Sequence, residues 1–460
     1  MFQSISTIKY LLKKDRRQLR FEIIGGITTF LSMVYIVFVN PSILLGAYHP
    51  TDNEVSSVKF ALFFATVVVS FLGTLLIGLF ADVPIGMAPG MGLNAFFAFT
   101  LVGKLLGNVP NALDIALSSS IISGVLFTVI GITPLRKIIV DVIPRDLKLS
   151  IGAGIGLFIA YIGLQQTGII TQDPTTATTF GNLKKWGVIL SLITLLLAFV
   201  FYALRLQYAF ILAMAISIII GVILHYAGNI KEEALPSIET QNFDFSKVGK
   251  TFLNGWTHIP DVFTHFAGYV AVFTFLFVMF FDMTGTLVGL AEQGKLYDKK
   301  GNIKNFQSIT LIEGVSTVVG ASLGTSNAAC YVESSSGISQ GAKHGASAIV
   351  TSVLFLLVLP LFPITSLFSS AITDPILIVV GALMFTQVLK LEHKDFVTYV
   401  GSFLTILIIL LSYSISAGIA FGFLYYIAIK TCTGKYKEIP ISLYCLVPFF
   451  IAYFIFYTIA

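Results

Sequence analysis

Apolar runs long enough to cross a bilayer recur along this 460-residue chain from Phe30 to Ile459. A helical span needs roughly 20 apolar residues, about 17–25 in practice. Only short polar connectors separate the runs, so no single soluble core accommodates them. Composition agrees: 56% of residues are hydrophobic and 11% charged, against about 25% charge in a soluble domain. The sequence therefore predicts an all-α polytopic membrane protein. Spans are expected at 23–45, 59–80, 86–103, 113–132, 149–168, 186–203 and 208–225. After a polar stretch they resume at 268–290, 306–323, 328–342, 345–363, 375–390, 397–413 and 415–430. A last apolar stretch, 441–459, is either an additional span or an interfacial helix.

The basic residues orient these fourteen segments. Lys and Arg concentrate in cytoplasmic loops. With the N-terminus inside, the cytoplasmic side receives 21 of the 28 basic residues. Among them are Lys9, Lys13, Lys14, Arg16, Arg17 and Arg20, then Arg136, Lys137, Arg145, Lys148 and Arg205. The later loops add Lys295, Lys299, Lys300, Lys304, Lys343, Lys390, Lys394, Lys430, Lys435 and Lys437. The long 226–267 connector carries Lys231, Lys247 and Lys250 but also Glu232, Glu233, Glu239, Asp244 and Asp261. It falls outside and divides the chain into two halves of seven spans. An odd number per half forces the second half to enter from the opposite side, which gives a 7+7 inverted repeat if the halves share a fold. The net charge of +5 is spread over connectors, so no nucleic-acid partner is expected. Cys330, Cys432 and Cys445 have neither metal nor disulfide spacing. The N-terminus is basic and polar, without the pattern of a cleavable signal peptide.

Two segments break the helical pattern, and each is third in its half. The first runs Gly86-Met87-Ala88-Pro89-Gly90-Met91-Gly92-Leu93-Asn94. Pro89 and the clustered glycines disfavour a continuous helix. Extended backbone is expected, with a helix starting near Asn94. The second runs Gly324-Thr325-Ser326-Asn327-Ala328-Ala329-Cys330-Tyr331-Val332-Glu333, and Glu333 stands to its break much as Asn94 does to the first. Paired broken segments point to a transporter's binding site. Close helix packing through small residues is the competing reading.

The acids within spans carry the chemistry. An ionisable residue inside a span costs about 2.5–3.5 kcal/mol on insertion scales, which makes it a functional candidate. Glu333, Asp282 and Glu313 qualify. Asp282 interrupts the apolar aromatic run Ala271 to Phe281, and Thr286 lies four residues on, on the same helix face. No Lys or Arg lies near the middle of any span, so protonation offers a route to proton coupling. Sodium held by the same acids and exposed carbonyls is the competing ion. Asn94 offers a donor and an acceptor to a planar heterocycle. Tyr331 and Phe96, Phe97 and Phe99 offer stacking surfaces, although with 41 Phe most contact lipid or core. His225, His258, His265, His344 and His393 are expected at the interfaces, and Cys330 as a small buried hydrophobe.

These blocks resemble the AzgA-like adenine/guanine/hypoxanthine permeases of the xanthine/uracil permease (nucleobase:cation symporter-2) superfamily. The matching residues are Thr28-Thr29-Phe30 through Val39-Asn40-Pro41-Ser42-Ile43-Leu44, then Ala88 to Ala95, Phe281 to Leu287, and Gly324-Thr325-Ser326 with Tyr331 to Ser334. Ile143 to Lys148 and Ser412-Tyr413-Ser414-Ile415 also match. The resemblance implies short strands in segments 3 and 10 that cross near mid-membrane. It implies a cytoplasmic terminus over 1–22, a core domain from 23–132 and 268–363, and a gate domain from 133–225 and 364–432. The 226–267 connector is external, and 433–460 is a C-terminal apolar segment. It implies that Asn94, Asp282 and Glu333 bind or support a purine, with Glu313 in support. Homodimers occur among fold relatives. Met279 departs from the family, where an acid is frequent, as does Gln340 to Gly345, where an Arg-containing Gly-rich stretch is usual.

The expected function is import of purine nucleobases across the cell membrane by proton symport and elevator-like alternating access. An anion exchanger or channel of the same fold is the rival within transport. Its site would use helix N-termini without nearby carboxylates. A membrane enzyme is the rival of another class, but no metal motif or nucleophile–base pair is present. No cofactor is expected.

Overall fold

The computed structural model describes residues 15–48, 50–51, 54–107, 109–133, 144–228, 230, 232–245, 248, 254–297, 303–392, 395–444 and 447–459. Lys9, Lys13, Lys14, Arg136, Lys137, Ile143, Lys231, Lys247, Lys250, Lys299, Lys300, His393, Lys394 and Cys445 lie outside the described residues.

In a bilayer, backbone groups must be satisfied within the protein, which selects helices. The first half holds α1 (Arg16–Met33), α2 (Ile36–Tyr48), α3 (Val55–Leu76), strand β1 (Met87–Pro89), α4 (Met91–Ala95) and α5 (Ala112–Ile132). It continues with α6 (Arg145–Gln166), strands β2 (Ile170–Asp173) and β3 (Ala177–Phe180), α7 (Trp186–Ala203) and α8 (Ala209–Tyr226). The second half holds α9 (Phe266–Gly294), α10 (Phe306–Ser322), strand β4 (Ala328–Cys330), α11 (Ser334–Ser339) and α12 (Gly345–Leu356). It ends with α13 (Ser370–Phe385), α14 (Phe396–Ser412), α15 (Ile415–Cys432) and α16 (Val447–Ile459).

Among the described residues, nine helices are long and apolar enough to cross a membrane, or ten if α12 and Leu359–Leu367, bent by 61°, make one span. These ten coincide with ten of the fourteen expected segments, and the other four are shorter or broken. Segment 86–103 is a strand plus a helix that continues with π-type winding over Phe96–Leu105. Segment 306–323 is a 17-residue helix, 328–342 is a strand plus six helical residues, and 397–413 is a 17-residue helix. Residues 441–459 form two short helices, of which α16 packs on α15. The helix in segment 3 starts at Met91, three residues before Asn94.

Two small sheets qualify the all-α class. One is the β2–β3 hairpin, pairing Ile170 with Phe180 and Asp173 with Ala177. Asp173 Oδ1 accepts from the amides of Thr175 and Thr176, at 2.8 Å each, and closes its turn. The other joins the halves: β1 runs antiparallel to β4, with Met87 opposite Cys330, Ala88 opposite Ala329 and Pro89 opposite Ala328. Side-chain hydroxyls satisfy the backbone that such short strands leave open. Thr74 Oγ1 donates to the Met87 carbonyl and accepts from its amide, both at 2.9 Å. In the other half, Thr317 Oγ1 accepts from the Ala328 amide at 3.1 Å. Non-helical backbone survives at depth only when enclosed in this way.

Packing divides along the chain. α5 lies against α10, and α12 against α1 and α3, while α13 lies along α6 and α14 along α6 and α15. Only 33% of the residues of α7 and of α8 are buried, and these helices present Leu196, Ile219 and Ile223 outward.

One polar junction ties the end of the second span to two loops. Asp82, in left-handed backbone at φ 48°, accepts from the Gly345 amide at 2.9 Å and pairs with Lys304 at 3.2 Å. His344 Nδ1 lies 3.6 Å away. Burial pushes this carboxyl up, but His344, the Gly345 amide and Lys304 outweigh it and hold the group below its usual value. A folded-state value below the unfolded one gives stability that is complete above the unfolded value and lost as pH falls through the folded one. Asp82→Asn is expected to lower stability by about 1–3 kcal/mol at neutral pH. Thermal unfolding of purified protein checks this, and the gap to wild type should close below about pH 4.

Candidate functional site

The strand crossing positions everything at the site. The helices that follow the strands start at Met91 and at Ser334, so Glu333 immediately precedes its helix while Asn94 is the fourth residue of its own, and the two do not stand in the same relation to their breaks as the sequence suggested. Beyond each strand the chain turns into a helix, α4 at Met91 and α11 at Ser334.

A cavity of about 170 Å³ lies where these turns meet α9, α6 and α13. For scale, an apolar cavity of about 150 Å³ holds one benzene ring, so this space suits a small planar molecule. α9 contributes Val278, Asp282, Gly285, Thr286 and Gly289, a spacing that places all five on one helix face. A side chain on Gly285 or Gly289 would meet nothing within 4 Å, so these glycines leave the cavity open. α4 contributes Met91, Gly92 and Leu93. The amides of Gly92 and Leu93 are in the first helical turn and have no intrahelical acceptor. They are donors available to a ligand. Facing them are Leu149 and Ile155 of α6, Val380 and Met384 of α13, and then Thr386, Gln387 and Lys390. Thr386 and Lys390 are exposed and mark the open end.

Of the residues singled out in the sequence, Asp282, Thr286, Tyr331 and Glu333 all line this cavity. Glu333 Oε1 accepts from the Tyr35 hydroxyl at 2.7 Å. Asp282, on α9, lines the same cavity as Glu333. Tyr331 is held by both ends: its amide donates to Gly86 O at 3.0 Å and its hydroxyl to Pro89 O at 2.5 Å. Its ring lines the cavity while its polar end fixes the strand.

Asn94 and Glu313 do not line the cavity. Asn94 is fully buried, and its amide donates to Asn40 Oδ1. Asn40 Nδ2 in turn donates to Thr66 Oγ1 at 2.8 Å and Thr325 Oγ1 at 3.1 Å. Asn94 therefore supports the floor of the site from behind. Glu313 is fully buried beside the thiol and amide of Cys330, with neither oxygen completing a hydrogen bond among the described residues. Met279 meets Asn327, whose Nδ2 lies 3.2 Å from the sulfur and 3.0 Å from Ser123 Oγ. Among the described residues, no group of three or more His, Cys, Asp or Glu could hold a metal ion.

Sequence reasoning missed Tyr35, Gln387 and Lys390. Tyr35 sits in an apolar run, at the Val34–Tyr35 interruption between α1 and α2, and nothing local marks it. Lys390 was assigned to a loop by its charge.

A profile of the permease family covering xanthine and uracil carriers matches residues 20–458. The chain is 42% identical over 439 residues to the guanine/hypoxanthine permease PbuG of Bacillus subtilis, spanning 95% of this chain and 96% of that one. It is 33% identical over 433 residues to the adenine permease AdeP of Escherichia coli, spanning 94% and 91%. The fold is similar to the transmembrane domain of the cyanobacterial bicarbonate transporter BicA, at a TM-score of 0.64 and 13% identity over 87% of this chain and 97% of that one. It is also similar to the anion transporter SLC26A9, at a TM-score of 0.61 and 13% identity over 92% and 68%. The chain belongs to the xanthine/uracil permease family, and it is a membrane permease, not an enzyme.

Proposed function

We propose that the protein imports purine nucleobases across the cell membrane by proton symport. The convergence of Asp282 and Glu333 with the free first-turn amides of α4 in one ring-sized cavity carries this reading. A purine presents N–H donors and ring or carbonyl acceptors in a single plane. The carboxylates accept from the donors, the amides of Gly92 and Leu93 donate to the acceptors, and the Tyr331 ring gives a stacking face. The names of PbuG and AdeP agree with a purine cargo. Two acids in the cavity disfavour the anion cargo of the fold relatives.

In the same proposal the chain is a 7+7 inverted repeat with its N-terminus in the cytoplasm. Segments 1–4 and 8–11 form a core carrying the site, and segments 5–7 and 12–14 form a gate. The cavity lies between them and opens toward Lys390, which the distribution of basic residues places inside. Vertical movement of the core against the gate would expose the site to the other side, and Asp282 and Glu333 are the acids on which a proton would travel.

Uptake of radiolabelled hypoxanthine, guanine and adenine by cells lacking their own purine permeases tests the reading. Accumulation is expected, and an uncoupler should abolish it. If an imposed sodium gradient drives accumulation in proteoliposomes and a proton gradient does not, the coupling assignment fails. Transport of bicarbonate or chloride without purine would overturn the cargo.

A further inference from the structure

A second cavity, of about 360 Å³, lies at the opposite end of α13 from Lys390. α2, α3 and the N-terminal turn of α13 wall it, and the connector residues Glu233 and Leu235 close over it. α13 serves both cavities: Asp374 and Leu377 face this one, Val380 and Met384 the first. Three residues, about 5 Å of helix rise, separate Leu377 from Val380.

Asp374 and Lys59 both line this cavity, and no ion pair joins them among the described residues. Asp374 is 6% exposed, and Thr373 Oγ1 donates to its Oδ1 at 3.1 Å. Among the described residues no other hydrogen-bond donor reaches it. Lys59 is partly buried, and its only hydrogen bond among the described residues is a long one, to Thr365 O at 3.4 Å. Ser369 Oγ, also at this cavity, is buried with no partner among the described residues. A buried carboxylate and a sequestered ammonium that do not neutralise each other are costly, unless a ligand joins them. A simple cation would meet Lys59, and a simple anion would meet Asp374 and Glu233. A neutral molecule with an N–H donor beside a carbonyl acceptor satisfies both groups at once.

We propose that this cavity is a second binding site, taking a planar heterocyclic lactam, with Asp374 accepting its N–H and Lys59 donating to its carbonyl. The ligand class rests on the purine reading above. The cavity stands at the far end of the same helix as the first site and loads substrate from that side.

Equilibrium binding of labelled hypoxanthine to the purified full-length protein tests it. Wild type is expected to bind at two classes of site. Asp374→Asn should weaken one class by about tenfold or more and leave the other, whose retention shows that the variant is folded. Glu333→Gln should weaken the opposite class, and Lys59→Gln should follow Asp374→Asn. A single class in wild type, unaltered by Asp374→Asn but weakened by Glu333→Gln, would overturn the second site and keep the purine reading. Absence of any hypoxanthine binding by folded wild type would overturn both.

Discussion

Glu333→Gln is expected to weaken purine binding by about 10–100-fold. The substitution keeps size and shape and exchanges one carboxylate oxygen for an amide donor. The Tyr35 hydroxyl still finds an acceptor in the remaining oxygen, so local structure should persist. What is lost is a charge-assisted hydrogen bond to the base, worth about 1.5–3 kcal/mol, at about 1.4 kcal/mol per tenfold in affinity. Glu292, exposed near the end of α9, provides the control, because exposed charges contribute little. Titration calorimetry of both variants, with monodispersity checked, decides the matter. Wild-type affinity in Glu333→Gln would assign this acid to structure or coupling and leave Asp282 as the base-binding carboxylate.

Gly381→Leu is expected to prevent recovery of folded protein. α6 and α13 touch through their backbones at this point. A side chain on Gly156 would lie 2.6 Å from Gly381 O and 2.7 Å from the Phe385 amide, and one on Gly381 would lie 2.7 Å from the Ala160 amide. Seven residues on, a side chain on Gly163 would lie 2.8 Å from Ile378 Cγ1. Close backbone approach through small residues is how helices associate in lipid, where there is no hydrophobic drive between them. Overpacking costs about 1–3 kcal/mol when side chains can move, and these obstacles are backbone atoms. Roughly tenfold less monodisperse protein is expected from Gly381→Leu, since losses of this size change abundance several-fold or more. Gly46→Ala is the control, because a side chain there meets nothing within 4 Å. A normal yield of monodisperse Gly381→Leu would show that α6 and α13 separate without penalty.

The membrane class and the two interruptions were legible because both are local. Apolar run length reports the span, and Pro89 with its neighbouring glycines reports the break. The register of the crossing was not legible, since strands of Met-Ala-Pro and Ala-Ala-Cys carry no alternation to set it. Asn94 illustrates the consequence. Placing the helix start three residues late turns every later side chain by most of a turn, at about 100° per residue. Leu93 then faces the cavity, and Asn94 faces Asn40. The cue lay in Val39-Asn40-Pro41, an amide in an apolar span that needed a polar partner. The β2–β3 hairpin had a cue as well, in Asp173-Pro174 flanked by threonines. Asp282 with Thr286 was readable because helix spacing fixes both on one face. Gln387 and Lys390 were not, because only the packing of α13 against α6 brings them to the cavity.

The order of synthesis gives the crossing a further meaning. Met87, Ala88 and Pro89 leave the ribosome long before Ala328, Ala329 and Cys330 exist. At about 5–20 residues per second, the roughly 240 residues between the strands take about 12–50 s to translate. Throughout that interval Thr74 can serve Met87, but Ala88, Gly86 O and the Gly90 amide lack the partners that Ala329, Tyr331 and Asn327 later supply. The first half must wait in a shielded form, close to the insertion machinery or to water, and the final closure of the site is post-insertional. A slow, late step of assembly is thus written into a sheet of only two strands.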